Sequence, residues 1–348
     1  MTTPEAPEVQ RLLRAMADAG CDFAIVESTS HGLALNRLDD VEYDVAVFTN
    51  VTGDHLDFHK TFEAYREAKG RLFATLERTV DKGFPKSAVV NDDDPSANFM
   101  LGLAPGAQPI RYGMESLEAD VLARNVSLRP DGTDFRLATP VGSAEVNLSL
   151  PALFNVANAL AAAGAGLAVG LPPQVVAEGL TACPGVPGRM ERIVSGQPFE
   201  VIVDYAHTGD AVRKVLDVLR SVSAGRLILV AGAAGERDPG RRFGVARAAA
   251  EGADFAVFTS EDPRSEDPMA IVGEIGKHAE DAGRVRERDF VEVEDRRAAI
   301  GRALAEAQPG DTVVVCGKGH EQSMIYGDTS LPWDDRQVTR EELSRLGY

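Results

Sequence analysis

The chain has 348 residues, 44% hydrophobic and 26% charged, enough for two domains with their own cores. Its formal charge of −18 disfavours a nucleic-acid binder, which needs a basic face, although a local basic pocket stays open.

In chain order, the first expected element is a helix: Leu12, Leu13, Met16 and Ala17 recur at helical spacing and Gly20 closes the run. An apolar strand, AIVES, follows. An α/β nucleotide enzyme ordinarily opens with a strand and a glycine-rich loop, and neither precedes this helix. DVAVFTN, SAVVN and IRYG read as further strands. TFEAYREAKGRLFATL reads as an amphipathic helix with Phe62, Tyr65, Ala68, Leu72 and Phe73 on one stripe. The segment from VLARN to NLSL alternates polar and apolar residues around a PDG turn, and reads as a β-meander attached to the first domain. ALFNVANALAAAGAGLAVGL is interrupted by Asn and Gly and reads as a buried helix, not a membrane span.

A Pro- and Gly-containing linker follows near CPGVPGRMERI. FEVIVDY, RLILVAG, DFAVFTS, DFVEV and DTVVVCG then alternate with helical patterns, the signature of a second α/β unit with a largely parallel sheet. The boundary falls at about residue 196, giving domains 1–195 and 196–348. Cys21, Cys183 and Cys316 form no CxxC pair or ligand cluster and read as buried or strand-end thiols in a reducing compartment. No basic-then-apolar leader opens the chain, so a soluble, cytoplasmic protein is expected.

Polar clusters follow six of these strands. ESTSHGLALNR places Glu27, two hydroxyls and an imidazole after the first, which reads either as a metal and phosphate site or as a solvated loop. TNVTGDHLDFHK crowds Asp54, His55, Asp57 and His59 after the next, equally consistent with a site or a helix cap. Lys69 lies on the stripe side of its helix, where a Lys is unusual unless paired or modified; a snorkelling Lys is the plain alternative. VIVDYAHTGD contributes Asp204, His207 and Thr208. GAAGERDPGRR contributes small residues with Arg237, Arg241 and Arg242 as anion binders, but matches neither GxGxxG nor a Walker loop. TSEDPRSEDP and VVCGKGHEQ contribute Arg264 and Glu321, a guanidinium and a carboxylate able to clamp a zwitterion, or else two surface turns. Chemistry alone points to an acidic α/β enzyme that uses a metal and an anionic substrate.

Taken together the motifs resemble the Mur ligases, and within them the branch that adds diaminopimelate. TTPEA, ESTSH, TNVTGDHLDFH, EAYREAK, FNVANALAA, PGRMERI, DYAHT, GERDPGRR, EDPRSEDP and GKGHE stand in that family's order along essentially the whole chain. The resemblance implies an α/β fold, a truncated central Mur ligase ATPase-like domain plus a C-terminal Rossmann-like domain. It implies a reaction in which ATP phosphorylates a muramoyl-peptide carboxylate and an amino acid's amine attacks the acyl phosphate. A tetrahedral intermediate then collapses to the amide, ADP and phosphate. It implies Glu27, His55 and Lys69 as catalytic residues and Mg²⁺ ligands, Lys69 in a carbamylated form. Thr2, Thr3, Thr29, Ser30, Arg37 and His207 match contacts to the UDP-muramoyl-dipeptide, and Asn155, Asn158, Arg189 and Asp204 match contacts to ATP. Arg237, Asp262, Arg264, Gly317 and Glu321 match the amino-acid pocket. An Arg at position 264 goes with diaminopimelate, whose distal carboxylate it would clamp; lysine would leave the guanidinium unpaired.

The chain departs from the family pattern in places. Asp262 replaces an Asn of the usual DNPR, an acid that repels a carboxylate but suits an ammonium. Thr29 replaces a Ser, Gly209 a Pro and Arg241 a Lys. In the family, TTPEA lies inside the central domain, after a UDP-binding domain and a P-loop, and this sequence contains no G-x-x-x-x-G-K-[ST]. A chain that begins in mid-ligase, with activity near background when alone, is therefore expected, together with self-association or a partner chain carrying the missing part. Two other readings stay open: an inactive remnant that keeps a binding surface, and another amide ligase of the superfamily, of the folylpolyglutamate or cyanophycin type.

Overall fold

The computed structural model describes residues 3–51, 56–129 and 132–348, which divide into two compact units. The first comprises most of residues 1–183 and the second most of 184–348, with the stretches 129–132 and 149–151 grouped with the second.

In the first unit the chain runs α1 (Ala6–Asp18), α2 (Ser30–Ala34), β1 (Val45–Phe48), α3 (Leu56–His59), α4 (Phe62–Leu76), β2 (Ser87–Asn91), α5 (Ala97–Gly102) and β3 (Gln108–Gly113). It continues with β4 (Val121–Arg129), β5 (Gly132–Thr139), β6 (Gly142–Leu148), α6 (Leu153–Ala168) and α7 (Pro173–Ala182). The six strands form one sheet in sequential order; β1 to β4 pair in parallel, and β5 and β6 form an antiparallel hairpin. The strand period of two sorts the side chains. Ala46, Phe48, Ala88 and Val90 join Tyr65, Phe73 and Met100 of α4 and α5 in one core, while Val89 and Ile110 join Val156 and Leu160 of α6 in another. Thr61 starts α4 by accepting the Ala64 N–H at 3.1 Å.

One expected strand is absent. Residues 23–29, which include AIVES, have no regular secondary structure, and Ile25 is 96% and Phe23 59% exposed. β-Propensity needs a ladder partner to become a strand, and among the described residues none pairs with this segment; β1 forms the edge of its sheet. Glu27 therefore does not sit at a strand end. Pro130 and Asp131 of the expected turn lie outside the described residues. Cys21 is exposed, not buried, because it follows the end of α1 on the surface; Cys316 is buried as expected.

In the second unit the order is β7 (Glu191–Arg192), β8 (Glu200–Asp204), α8 (Gly209–Val222), β9 (Leu227–Ala231), α9 (Gly240–Gly252), β10 (Phe255–Phe258) and α10 (Pro268–Asp281). Then come β11 (Phe290–Glu292), α11 (Arg296–Glu306), β12 (Thr312–Cys316), the hairpin β13 (Ser323–Tyr326) and β14 (Thr329–Pro332), and α12 (Asp335–Arg345). The sheet order is β11-β10-β9-β12-β8-β7, parallel except for β7. Leu227, Leu229, Val314 and Cys316 pack with α8, α9 and α10, and Ile228, Val230, Val313 and Val315 with α11 and α12. Helices therefore leave neighbouring strands β9 and β12 on opposite faces, which makes a topological switch point. Ligands of such sheets bind outside the carboxyl ends of the strands there. Arg296 and Asp335, both fully buried, join α11 to α12 by two hydrogen bonds of 2.8 and 2.7 Å.

Candidate functional site

Parallel register sets Asp204 opposite Cys316, and Phe258 opposite Ala231, at the carboxyl ends of four strands. The loops after β8, β9, β10 and β12 thus converge. These are the DYAHT, GERDPGRR, EDPR and GKGHE segments, as expected from their position after strands.

The loop after β10 is the most constrained. Asp262 and Arg264, on either side of Pro263, both have positive φ, 43° and 55°, a conformation that non-glycine residues seldom adopt and that concentrates at functional sites. Backbone bonds hold it: Gly235 N–H to Asp262 O at 3.0 Å, Arg264 N–H to Ile325 O at 3.0 Å and Gly327 N–H to Arg264 O at 2.6 Å. Glycine is required at two approaches. A Cβ on Gly317, at φ 123°, would lie 2.5 Å from Glu261 Oε2, and one on Gly188, at φ 67°, would run into the backbone of Gly319 and His320.

Lys318, 1% exposed, lies between two carboxylates, 2.8 Å from Asp262 Oδ1 and 2.5 Å from Glu321 Oε2. Asp262 Oδ1 also accepts the Ile325 N–H at 2.9 Å, and Glu321 Oε1 accepts the Tyr205 hydroxyl at 3.4 Å. Glu261 is buried beside them. Burial pushes its carboxyl up to about 8, against the pull of Arg296 and Lys318 and with the push of Asp262 and Glu321. Its Oε2, and the Nε of Arg264, are buried with no hydrogen-bond partner among the described residues. One loop thus offers an unused acceptor and an unused donor, the complement of an amino-acid headgroup.

The residues expected at the nucleotide are differently placed. Asp204 uses both oxygens on backbone, accepting Met190 N–H at 2.7 Å and Ala206 N–H at 2.8 Å. Burial raises its pKa, while those two bonds, Arg189 and His207 oppose the rise. Arg189 stacks over Tyr205 at 4.4 Å, and His207 sits 4.7 Å from the same ring with Nδ1 3.0 Å from Tyr205 O. Asn155 and Asn158 share a turn of α6, the Asn158 amide donating to Asn155 Oδ1 at 3.4 Å. Arg237 is exposed, whereas Arg242, one of the three expected anion binders, is spent on Glu266 and Glu274 at 2.5 and 2.6 Å.

A second cluster belongs to the first unit. Thr3, almost fully buried, donates its hydroxyl to Glu27 O at 3.0 Å and lies 2.8 Å from the Thr29 hydroxyl, which caps α2 by accepting the Gly32 N–H. Arg37 donates to Thr3 O at 2.9 Å and pairs with Glu5 at 2.5 Å. Ser30 Oγ is 3.0 Å from His59 Nε2, and the His59 ring is 5.3 Å from Tyr65, over which Lys69 Nζ lies at 5.2 Å. Thr3, Thr29, Ser30 and Arg37 therefore gather, with the half-buried Lys69 linked to Ser30 through Tyr65 and His59. His207 belongs to the other unit. Thr2, Asp54 and His55 lie outside the described residues. The Glu27 side chain is exposed, and among the described residues no three His, Cys, Asp or Glu side chains gather as a cation site. Glu27 and Lys69 alone do not make up a Mg²⁺ donor set.

Glu261, Lys318 and Tyr205 were not singled out from the sequence. A lysine one glycine beyond the wholly apolar run VVVC is the available signal for Lys318, since such a position follows a buried strand.

The Mur ligase middle domain model matches residues 1–166 and the Mur ligase, glutamate ligase domain model residues 188–319. A UDP-N-acetylmuramyl-tripeptide synthetase of Roseiflexus sp. (strain RS-1) is 47% identical over 354 aligned positions, covering 100% of this chain and 69% of that protein. A UDP-N-acetylmuramoyl-L-alanyl-D-glutamate–2,6-diaminopimelate ligase of Geobacillus kaustophilus (strain HTA426) is 42% identical, covering 99% and 70%. Among solved structures, one of a ligase of that same description superposes with a TM-score of 0.67 at 34% identity, covering 100% of this chain and 69% of that one. A Mycobacterium tuberculosis folylpolyglutamate synthase superposes at 0.69 with 21% identity, covering 95% and 70%, a likeness of fold alone. The chain belongs to the Mur ligase family, whose ligases are ATP-dependent, and it spans the middle and C-terminal domains.

Proposed function

We propose that the chain serves the step of peptidoglycan synthesis in which an ATP-dependent ligase joins meso-diaminopimelate to UDP-N-acetylmuramoyl-L-alanyl-D-glutamate. The observation that carries this reading is the EDPR loop, where the unpartnered Arg264 Nε stands in a loop joined through Lys318 to Glu321. The distal end of diaminopimelate bears both a carboxylate and an ammonium. Arg264 takes the carboxylate and Glu321 the ammonium, with Asp262, Gly317 and Arg237 completing the pocket. Lysine has no distal carboxylate and leaves the guanidinium unsatisfied, a penalty that supports selectivity.

In this reading Thr2, Thr3, Thr29, Ser30, Arg37 and His207 bind the UDP-muramoyl-dipeptide, and Asn155, Asn158, Arg189 and Asp204 serve ATP. Glu27, His55 and carbamylated Lys69 would hold Mg²⁺, which would neutralise phosphate charge; the Glu27 carboxylate and the Lys69 carbamate are the oxygen donors that ion favours, and His55 adds a ring nitrogen. The work of the chain's own residues is placement: the amino acid's headgroup is held at the strand ends so that its free amine is presented to the activated carboxylate. A cytoplasmic location accords with the nucleotide-linked substrate, and no described helix is long and apolar enough to cross a membrane.

The test is calorimetric titration of the full chain with meso-diaminopimelate and with L-glutamate, the amino acid a folylpolyglutamate-type ligase would take. Saturable binding of diaminopimelate with little heat from glutamate is expected. Preference for glutamate would overturn the reading.

A further inference from the structure

Lys318 is the residue the motif comparison leaves without a role. It is more deeply buried than any other lysine or arginine near the pocket except Arg296, whose charge is already met by Asp335. An ammonium held at 1% exposure persists only when its charge is matched, and here two carboxylates match it, one from the loop after β10 and one from its own loop after β12. The two carboxylates differ in what remains to them. Asp262 Oδ1 accepts from both Lys318 and the Ile325 N–H. Glu321 is more exposed, and its other oxygen carries only the long contact to Tyr205.

We propose that Lys318 is a positioning residue that sets the charge of the amino-acid pocket, cancelling Asp262 and steering Glu321 so that the pocket distinguishes a zwitterionic distal end from a purely cationic one. The inference rests on the diaminopimelate reading above. Its physical content is a charge count. With Lys318 and Asp262 paired, Arg264 and Glu321 remain beside the exposed Arg237 as one positive and one negative group, the complement of the ammonium and carboxylate of diaminopimelate. Removing the Lys318 charge makes the pocket more negative by one unit and favours lysine, whose distal end is a lone cation. Removing the Asp262 charge makes it more positive by one unit and disfavours lysine. The distal end of diaminopimelate has no net charge, so its affinity moves less in either case.

Asp262→Asn is a clean perturbation. The amide oxygen still accepts from Lys318 and Ile325, and Asn tolerates the φ of 43° at this position as readily as Asp does. The experiment measures affinity for meso-diaminopimelate and L-lysine, by calorimetry, in the wild type, Asp262→Asn, Lys318→Met and the double variant. The ratio of the two affinities is expected to rise about tenfold in Asp262→Asn and to fall about tenfold in Lys318→Met. In the double variant, where both charges are gone, it should return towards the wild-type value. A merely structural role lowers both affinities together and leaves the ratio unchanged, and an unchanged ratio in Asp262→Asn and in Lys318→Met would overturn the proposal. If Lys318→Met does not fold, Asp262→Asn decides the matter, and an unchanged ratio there overturns the proposal. Wild-type protein that binds neither amino acid, or binds lysine in preference, overturns the diaminopimelate reading itself and not only the role of Lys318.

Discussion

Glu261 is a carboxyl group with no good place for a negative charge. Burial raises it from its ordinary 4.5 to about 8, and Arg296 and Lys318 offset only part of that shift while Asp262 and Glu321 add to it. Between those two values the folded chain holds a proton that the unfolded chain has released, so this group's contribution to stability falls as pH rises through the window. Urea midpoints of the wild type should therefore drop between about pH 5 and about pH 8 by more than those of Glu261→Gln, which removes the titration. Equal slopes for the two proteins would show that Glu261 ionises normally. A second residue-scale expectation concerns the fully buried Arg296–Asp335 pair. Asp335→Ala leaves the guanidinium uncompensated and should cost about 3–5 kcal/mol in denaturant unfolding. None of this was legible in the sequence. Glu261 and Arg296 look like ordinary charged residues there, and their partners lie 35 and 39 positions away in the chain (296 − 261 and 335 − 296).

At the scale of elements, patterns with a strong local period read correctly. DVAVFTN, SAVVN, RLILVAG and DTVVVCG became strands, and the stripe of Tyr65, Ala68 and Phe73 became the buried face of α4. The parallel order of the second sheet, and the convergence of four motif-bearing loops at its carboxyl edge, followed from the alternation of strands and helices. AIVES shows the limit of such reading: a strand is a paired object, and the presence of a partner is not a local property. The positive φ values at Asp262 and Arg264 were likewise hidden, since neither residue type announces a left-handed backbone. The start of α4 gives a simple check. Thr61→Ala removes the cap on the helix that carries Lys69 and should destabilise the first unit by about 1 kcal/mol in thermal or urea unfolding. No change would mean that tertiary packing alone fixes the helix start.

For the molecule as a whole, a charge of −18 favours solubility through self-repulsion, yet Phe23 and Ile25 are exposed. Apolar side chains in an extended setting promote association. Sedimentation velocity at moderate salt should show concentration-dependent association that weakens in the Phe23→Lys/Ile25→Lys variant; a monomer at all concentrations would remove this expectation. The division of labour between the units is clearer. The first unit gathers Thr3, Thr29, Ser30, Arg37 and Lys69, and the second gathers the EDPR and GKGHE loops around Lys318. The proposed amino-acid pocket lies in the second unit and depends on Arg264. The most direct measurement titrates meso-diaminopimelate into the full chain and into Arg264→Ala under identical conditions. Losing a charge-assisted contact to the distal carboxylate should weaken binding by about tenfold or more, while the affinity for lysine rises because the pocket has lost a positive charge. Equal affinity of the two proteins for diaminopimelate would contradict the assignment of the pocket.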